Sequence, residues 1–287
     1  MYELNSSFPF HIVKETLDGD IPEHQHIYSV EMSFVIHGEA LHKVGKNSRK
    51  IERGEVIIIL KPTSHSRIHM KNHLRYTIQF DLEKSLLLNN EINHFPGFHS
   101  LFFIEPTYLQ EKFYTSGFTL NEEQLNYSIT MFDIMYEAYN LKYNGYKTII
   151  KTHLSALLAY ISLCYNPTPE SIPSKLYKIA ETASYIEMNY AKKINIKELA
   201  SIACLSERQY NRIFKSVYGM SPNVYLIQVR LYKSCRFLED PYLTIRYISN
   251  ICGFFDDAYF IKQFKRHFNM TPGEYRKNLI NNPNIYS

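Results

Sequence analysis

Ile196-Lys-Glu-Leu-Ala-Ser-Ile-Ala-Cys-Leu205, followed by Ser206-Glu-Arg-Gln-Tyr-Asn-Arg-Ile-Phe-Lys-Ser-Val-Tyr218 and Gly219-Met-Ser-Pro222, returns later in the chain. The second copy is Ile245-Arg-Tyr-Ile-Ser-Asn-Ile-Cys-Gly-Phe254, then Asp256-Asp-Ala-Tyr-Phe-Ile-Lys-Gln-Phe-Lys-Arg-His-Phe268 and Asn269-Met-Thr-Pro272. Phe214 pairs with Phe264, Lys215 with Lys265 and Pro222 with Pro272, each at an offset of 50 residues. Each copy begins with a short segment apolar on one helical face: Ile196, Leu199, Ala200 and Ala203, or Ile245, Ile248 and Ile251. A small residue, Ala200 or Ser249, stands where two helices would cross closely. Ser206 and Asp256 are of the type that caps a following helix by accepting a backbone N–H bond. That helix would bury Tyr210, Ile213, Phe214 and Val217 in the first copy. In the second it would bury Tyr259, Phe260, Phe264, Phe268 and part of Ile261. The pattern predicts two helix-turn-helix units, a motif whose second helix enters the DNA major groove with its N-terminal residues at base edges.

Between the copies, residues 222–238 carry an apolar seam of Val224, Leu226, Ile227, Leu231, Cys235 and Leu238, and Pro222 suits a first helical turn. A helix of that length spans about 25 Å, suited to holding two reading heads about one turn of DNA, ~34 Å, apart. The charge agrees with a DNA partner. From Ser174 onward there are 17 Lys and Arg against 9 Asp and Glu, a net +8, while the first 173 residues hold 15 against 19, a net −4. Eleven of the twelve His lie in that acidic front. The alternative for the basic half is an all-α tandem repeat with a solvated charged surface.

The run Arg230-Leu231, Ser234, Leu238, Ile245, Ile248-Ser249, Gly253-Phe254, Tyr259-Phe260, Phe264-Lys265, Asn269, Thr271-Pro272 and Tyr275-Arg276 resembles the signature of the AraC/XylS family of bacterial transcription regulators. Ser234 and Ser249 stand where that signature has alanine, and Asn269 where it has glycine. Serine is small enough to fit, and Asn tolerates the left-handed conformation of a helix C-cap. Carried over by position, the resemblance makes Arg208, Asn211 and Arg212 base-reading candidates, with Gln209 beside them. Arg bonds guanine bidentately and Asn bonds adenine. The matching positions of the second unit are Asp257, Ala258, Ile261 and Lys262, poorer readers, so the first unit is expected to carry more of the discrimination. Lys215, Arg246, Lys265, Arg266, Ser206 and the backbone N–H groups at helix starts are expected at phosphates.

The front half has a different texture. Short apolar stretches at 30–36, 56–60 and 76–80 are separated by the turn signals Asp18-Gly19-Asp20, His37-Gly38-Glu39, Gly45-Lys46-Asn47 and Arg53-Gly54-Glu55. This predicts a β-sandwich or barrel over about 8–81. A short helix is expected over 83–90. From Asn121 the period becomes helical: Leu125, Ile129, Phe132, Met135, Tyr136 and Tyr139, then Ile149, Ile150, Leu154, Leu157, Leu158, Ile161 and Leu163, interrupted by Asn144-Gly145. The hairpin over 121–165 either packs on the β domain or forms a dimer interface. Asn166-Pro-Thr-Pro-Glu-Ser-Ile-Pro-Ser174 reads as an extended linker.

His24-Gln-His26, Glu31 and Gly38, then Gly54, Pro62 and His65, resemble the two cupin motifs. The Pro62-to-His65 spacing is shorter than in the enzymatic pattern, and Gly19 precedes His24 by one residue less. In cupins such a set points into the barrel and can hold a divalent metal such as Zn, Fe, Ni or Mn. An HxH pair on a strand puts both rings on one face. In AraC/XylS-type regulators the resemblance implies instead a sensor for a small effector, often a sugar, usually without metal. His24, His26, Glu31, His65 and Tyr76 are then the effector-binding candidates, with Ile78 and Phe80 as further wall residues.

The remaining composition narrows the classes. No run approaches the ~20 apolar residues of a membrane helix, and the first residues show no secretory pattern. Cys164, Cys204, Cys235 and Cys252 form no CxxC pair, which fits a reducing cytosol. No Ser/His/Asp pattern, P-loop or dinucleotide fingerprint appears. The expected protein is α+β and not an enzyme. Residues 1–165 form a cupin-like β-barrel with a helical hairpin for effector binding and dimerisation, and 166–174 form a linker. Residues 175–287 form an all-α domain of two helix-turn-helix units joined by a long helix. It is expected to be a cytoplasmic, homodimeric regulator of double-stranded DNA that responds to a small effector without a required cofactor. Family resemblance favours activation and contact with RNA polymerase. The alternative is a metal-dependent cupin protein, either a metal-sensing regulator or a cupin enzyme, with His24, His26, Glu31 and His65 as ligands.

Overall fold

The computed structural model describes residues 8–26, 29–60, 63–82, 91–110, 116–167 and 172–281. The short helix expected over 83–90, Pro62 and part of the Pro-rich stretch (168–171) lie outside them. The chain is α+β and divides into two compact units, Met1–Glu181 and Thr182–Ser287.

The first unit is built on β1 (Phe10–Gln25), β2 (Val30–Val44), β3 (Asn47–Ile51), β4 (Glu55–Ile59), β5 (Ser64–Phe80) and β6 (Ser116–Thr119). All pairings are antiparallel, in the order β1-β5-β2-β4-β6, with β3 on β2. Two of the four expected turns are turns, at Gly45-Lys46 and Arg53-Gly54. The other two lie inside long strands. Gly19 (φ +91°) and Gly38 (φ +79°) sit at register shifts of β1 and β2 and act as bulges. Glycine reaches positive φ without a Cβ penalty, so the same residue serves a turn or a bulge. At Gly38 a Cβ would also lie 2.3 Å from the Asn72 carbonyl oxygen. The irregular part of β5 is stitched to β1 by two aspartates: Asn72 N–H donates to Asp18 Oδ1 and His69 N–H to Asp20 Oδ1, both at 2.7 Å.

Alternation along the strands gives the sheet two unlike faces. Even-numbered residues (Phe10, Ile12, Met32, Phe34, Val56, Ile58, Tyr76, Ile78, Phe80) form one core with the helices. Those helices are α1 (Glu122–Leu141), α2 (Tyr146–Cys164) and the short turns Pro96–His99, Ser100–Ile104 and Glu105–Gln110. Asn121 starts α1 with a reciprocal capping box to Gln124, and Lys142 ends it at φ +50°. Phe132 of α1 stacks on Tyr76 at 4.9 Å and meets Phe34 at 4.5 Å. The opposite face, odd-numbered along regular strand, holds a smaller apolar cluster of Val35, Ile51, Ile57 and Ile59, joined by Met70 from the irregular part of β5, and a set of buried polar groups.

In the second unit α3 (Ser174–Asn189), within which the two units divide, leads to α4 (Ile196–Ile202), α5 (Glu207–Tyr218), α6 (Pro222–Leu238), α7 (Ile245–Ile251), α8 (Asp257–Phe268) and α9 (Pro272–Asn281). The sequence repeat is a repeat of packing. Phe214 lies 5.4 Å from Tyr225 and 4.4 Å from Tyr218; Phe264 lies 5.5 Å from Tyr275 and 4.5 Å from Phe268. Ala200 and Ser249 are buried at the helix crossings, and Asn269 takes the left-handed C-cap at φ +58°. Two expected core positions lie at the surface: Val224 of α6 is 45% exposed and Tyr259 of α8 43%. Both sit in the first turn of their helix, where the apolar seam has not yet met its partner. The turns between α4 and α5 and between α7 and α8 each carry one left-handed residue, Cys204 (φ +55°) and Gly253 (φ +83°). No helix among the described residues is long and apolar enough to cross a membrane.

Two predictions follow from these features. Gly253→Ala would add strain at positive φ and bring a Cβ within 2.7 Å of the Ala191 carbonyl oxygen. It is expected to lower stability by about 1–3 kcal/mol in a urea melt followed by helical circular dichroism. In the first unit, burial depresses His73 to about 4, with Arg75 and Arg67 adding to it, and depresses His99 to about 4 against its hydrogen bond to the Asn93 carbonyl. An unfolded His titrates near ~6.5. Between about pH 6.5 and 4 the unfolded chain therefore binds protons that the folded chain does not. Thermal stability is expected to be complete above that window and to fall as pH drops through it; a melting temperature flat from pH 7 to 4.5 would contradict this.

Candidate functional site

α5 carries the base-reading candidates of the first unit. Ser206 Oγ accepts from Gln209 N–H at 3.3 Å, and Gln209 Oε1 accepts from Ser206 N–H at 3.2 Å and from its hydroxyl at 3.0 Å. Gln209, expected beside the base readers, is thereby engaged as the reciprocal half of a capping box. Arg208, Arg212 and Lys215 are exposed. Asn211 is half-buried and donates from Nδ2 to the Glu207 carbonyl at 2.9 Å, a local bond that a stronger acceptor can displace. Opposite this face, Tyr210 and Phe214 are buried, and Tyr210 Oη donates to Thr182 Oγ1 at 3.1 Å. Two exposed guanidiniums and an amide on successive turns of one helix can present bidentate donors to guanine and adenine edges.

Its counterpart in the second unit, α8, is capped by Asp256 Oδ1, which accepts from Tyr259 N–H at 2.9 Å. Tyr at that position cannot close a capping box. Ala258, Ile261, Lys262, Lys265 and Arg266 are exposed. Arg246 Nε lies 3.7 Å from Asp257 Oδ2, so the expected phosphate anchor faces a carboxylate of its own unit in an exposed, weak pair. Arg230 and Arg276 of the family-like run lie inside the fold. Arg230 donates to the Tyr190 and Lys192 carbonyls at 2.7 and 2.9 Å, and Arg276 to those of Leu238 and Leu243 at 3.2 and 2.7 Å. They satisfy carbonyls at helix ends and neighbouring loops.

In the first unit His24, His26, Glu31 and His65 come together, with one ligand-type atom from each lying within 4.8 Å of the others. His24 and His65 face each other across the β1–β5 ladder with ring centroids 4.2 Å apart. Nδ1 of His24 and Nδ1 of His65 lie 2.9 and 3.4 Å from the Pro22 and Thr63 carbonyl oxygens, and His65 Nε2 lies 3.6 Å from Glu31 Oε1. His26 Nε2 is 2.8 Å from Glu31 Oε2. Burial opposes ionisation of Glu31, but bonds from His26 and His65 and the charge of Arg67 outweigh it and hold the carboxyl well below its usual range. In donor type, three imidazoles and a carboxylate fit a transition metal.

Tyr76 does not join this group. As an even-numbered residue of β5 it points to the helices, where its hydroxyl donates to Asp133 and its ring stacks on Phe132; Ile78 and Phe80 share that core. The residues that do line the cluster are ones the sequence reading passed over. Arg67 Nη2 lies 3.1 Å from Glu31 Oε1 and 2.8 Å from Ser33 Oγ, Ser33 bonds Thr77 at 3.0 Å, and Gln79 Nε2 donates to Glu31 Oε2 at 3.4 Å. The His42 ring is 5.7 Å from that of His65. For Ser33, Thr77 and Gln79 the signal was parity: polar residues at alternate positions (31 and 33; 75, 77 and 79) of strands whose other residues are apolar.

A helix-turn-helix domain model matches residues 199–278. The Msm operon regulatory protein of Streptococcus mutans is 32% identical over 129 residues, 45% of this chain and 46% of that protein. The HTH-type transcriptional activator RhaS of Escherichia coli is 25% identical over 265 residues, 90% of this chain and 88% of that one. A crystal structure of an AraC-type transcriptional regulator from Chromobacterium violaceum is 31% identical over 35% of this chain and 90% of that one, with a TM-score of 0.34. The chain thus spans less than half the length of the first of these relatives and most of the second. The matched residues 199–278 span both helix-turn-helix units from α4 to α9, so this chain carries a helix-turn-helix domain of the kind found in these transcription regulators.

Proposed function

We propose that this protein is a sequence-specific, double-stranded-DNA-binding transcription regulator whose first unit senses a small molecule. The observation that carries the reading is the pair of capped reading helices, α5 and α8, each with its aromatic face buried and its cationic face exposed. Arg208 and Arg212 would bond guanine edges and Asn211 an adenine, while Lys215, Lys262, Lys265 and Arg266 hold phosphates. The name of RhaS, a transcriptional activator, supports activation; contact with RNA polymerase and a cytoplasmic place rest on the family resemblance. Arg212→Ala is expected to cost about 1–3 kcal/mol of operator binding and to relax one base position in footprinting. Unchanged affinity and sequence preference would remove Arg212 from the reading.

The effector site is the polar face of the sheet around Glu31, His24, His26 and His65, extended by Arg67 and Gln79, where imidazoles, a carboxylate and an amide can bond hydroxyl groups. The double variant His24→Ala, His65→Ala is expected to abolish effector response while leaving operator affinity nearly intact. A thermal-shift screen of sugars and metals on the full chain identifies the ligand class. The tight grouping of ligand atoms favours a second reading, a metal-assisted sensor. His24, His26, Glu31 and His65 would hold the ion, which would supply a Lewis-acidic centre for an effector oxygen. Stoichiometric metal in the purified protein, lost in the double variant, would support that reading over the metal-free one.

A homodimer through the helical hairpin completes the proposal. On α1 the exposed residues Tyr127, Ile134 and Leu141 recur every seven positions, a spacing that keeps them on one stripe of the helix. Ile134→Glu is expected to convert a dimer to monomer in analytical ultracentrifugation and to weaken binding to paired half-sites, not to a single one.

A further inference from the structure

We propose that the second unit docks by apolar contact on a thymine-rich major-groove half-site, through Ala258 and Ile261 on α8 and Phe255 just before it; this rests on the DNA-binding reading above. At the offset of 50, α5 presents Arg208, Asn211 and Arg212 where α8 presents Ala258, Ile261 and Lys262. Residues 258, 261 and 262 share one helical face, being three and four apart, and all three are exposed. The turn ahead of α8 is also one residue longer than its counterpart. Cys204-Leu205-Ser206 becomes Gly253-Phe254-Phe255-Asp256. Phe254 is buried in the core, and the additional Phe255 is 81% exposed. An apolar residue preceding an N-cap commonly packs back on the helix; here it stands in solvent, at the same end of α8 as Ala258.

These side chains cannot make the hydrogen bonds by which guanine or adenine is read. Of the two carboxylates there that could accept a bond from cytosine, Asp256 caps α8 through Tyr259 N–H and Asp257 lies 3.7 Å from Arg246. The feature of a base-pair edge in the major groove that apolar side chains recognise is the C5-methyl group of thymine. Lys262, Lys265 and Arg266 are exposed on the same helix and match phosphates in charge, which favours DNA over an apolar protein surface as the occupant. The two units then read by different chemistry, the first by hydrogen bonds and the second by methyl contacts.

The test starts from an operator selected with the full-length protein from a random duplex library. The half-site of the second unit is the one whose base preferences survive Arg212→Ala. Its thymines are replaced by deoxyuridine, which removes the methyl and keeps every hydrogen-bonding group. The expected result is binding weakened about fourfold per contacted methyl, no such effect in the other half-site, and loss of the effect in Ile261→Ala. Equal affinity for thymine and deoxyuridine operators, with selective binding by the first unit intact, would overturn the inference while leaving the regulator reading in place. Failure to select any operator would overturn both. If Phe255→Ala and Ile261→Ala leave operator affinity unchanged and lower only reconstituted transcription, the patch docks a protein and the inference is wrong.

Discussion

One aromatic ring in the middle of each reading helix holds a helix-turn-helix together. Phe214 and Phe264 are fully buried, and each is flanked by an aromatic one helical turn earlier, one later and one on the following helix. In the second unit Ile248 of the short helix and Leu231 and Leu238 of the connector share a buried cluster with Phe264. Deleting such a ring typically costs about 3–5 kcal/mol, a large part of the net stability of a small domain. The outer face of the helix is under no comparable constraint, so it can carry charge.

In the first unit the governing constraint is the two-residue period of a strand. It sends Tyr76 and Phe34 to the helices and Thr77 and Ser33 to the opposite face. That face carries a buried carboxylate, a buried guanidinium and several imidazoles, with Arg67 depressed to about 10 by burial and by Arg75 despite the nearby Glu31. Buried ions rarely stabilise a core better than apolar packing of the same volume. A sheet selected for stability alone would fill the space with leucine and valine, which is why the proposed effector site is put on this face.

The C-terminal half was legible almost to the residue because its signals are local: caps, a 3–4 apolar period and a second copy to check the first. Ser206, Asp256, Pro222 and Asn269 do what their chemistry suggests at their positions. The departures, Val224 and Tyr259, lie at helix starts, where periodicity cannot say whether a partner is present. The front half was read less well. Asp18-Gly19-Asp20 and His37-Gly38-Glu39 look like turns because glycine at positive φ is common to turns and bulges, and only the ladder distinguishes them. The histidines and Glu31 were found through a motif, yet Tyr76 was assigned to the wrong face and Arg67 was overlooked. Counting parity outward from Glu31 corrects the first error within regular strand. For Arg67 it fails, because β5 is irregular between His69 and Asn72.

The matched ring geometry of the two units has an evolutionary consequence. A duplicated module whose interior is locked and whose exterior is unconstrained can drift in what it recognises without losing its shape. Much of the divergence between α5 and α8 lies on the outward side, where Arg208 and Arg212 correspond to Ala258 and Lys262, while the half-buried Ile213 and Val217 become Gln263 and His267. New binding preferences can therefore arise by single surface substitutions in one copy while the other keeps the protein on its existing targets, and neither change passes through an unfolded intermediate.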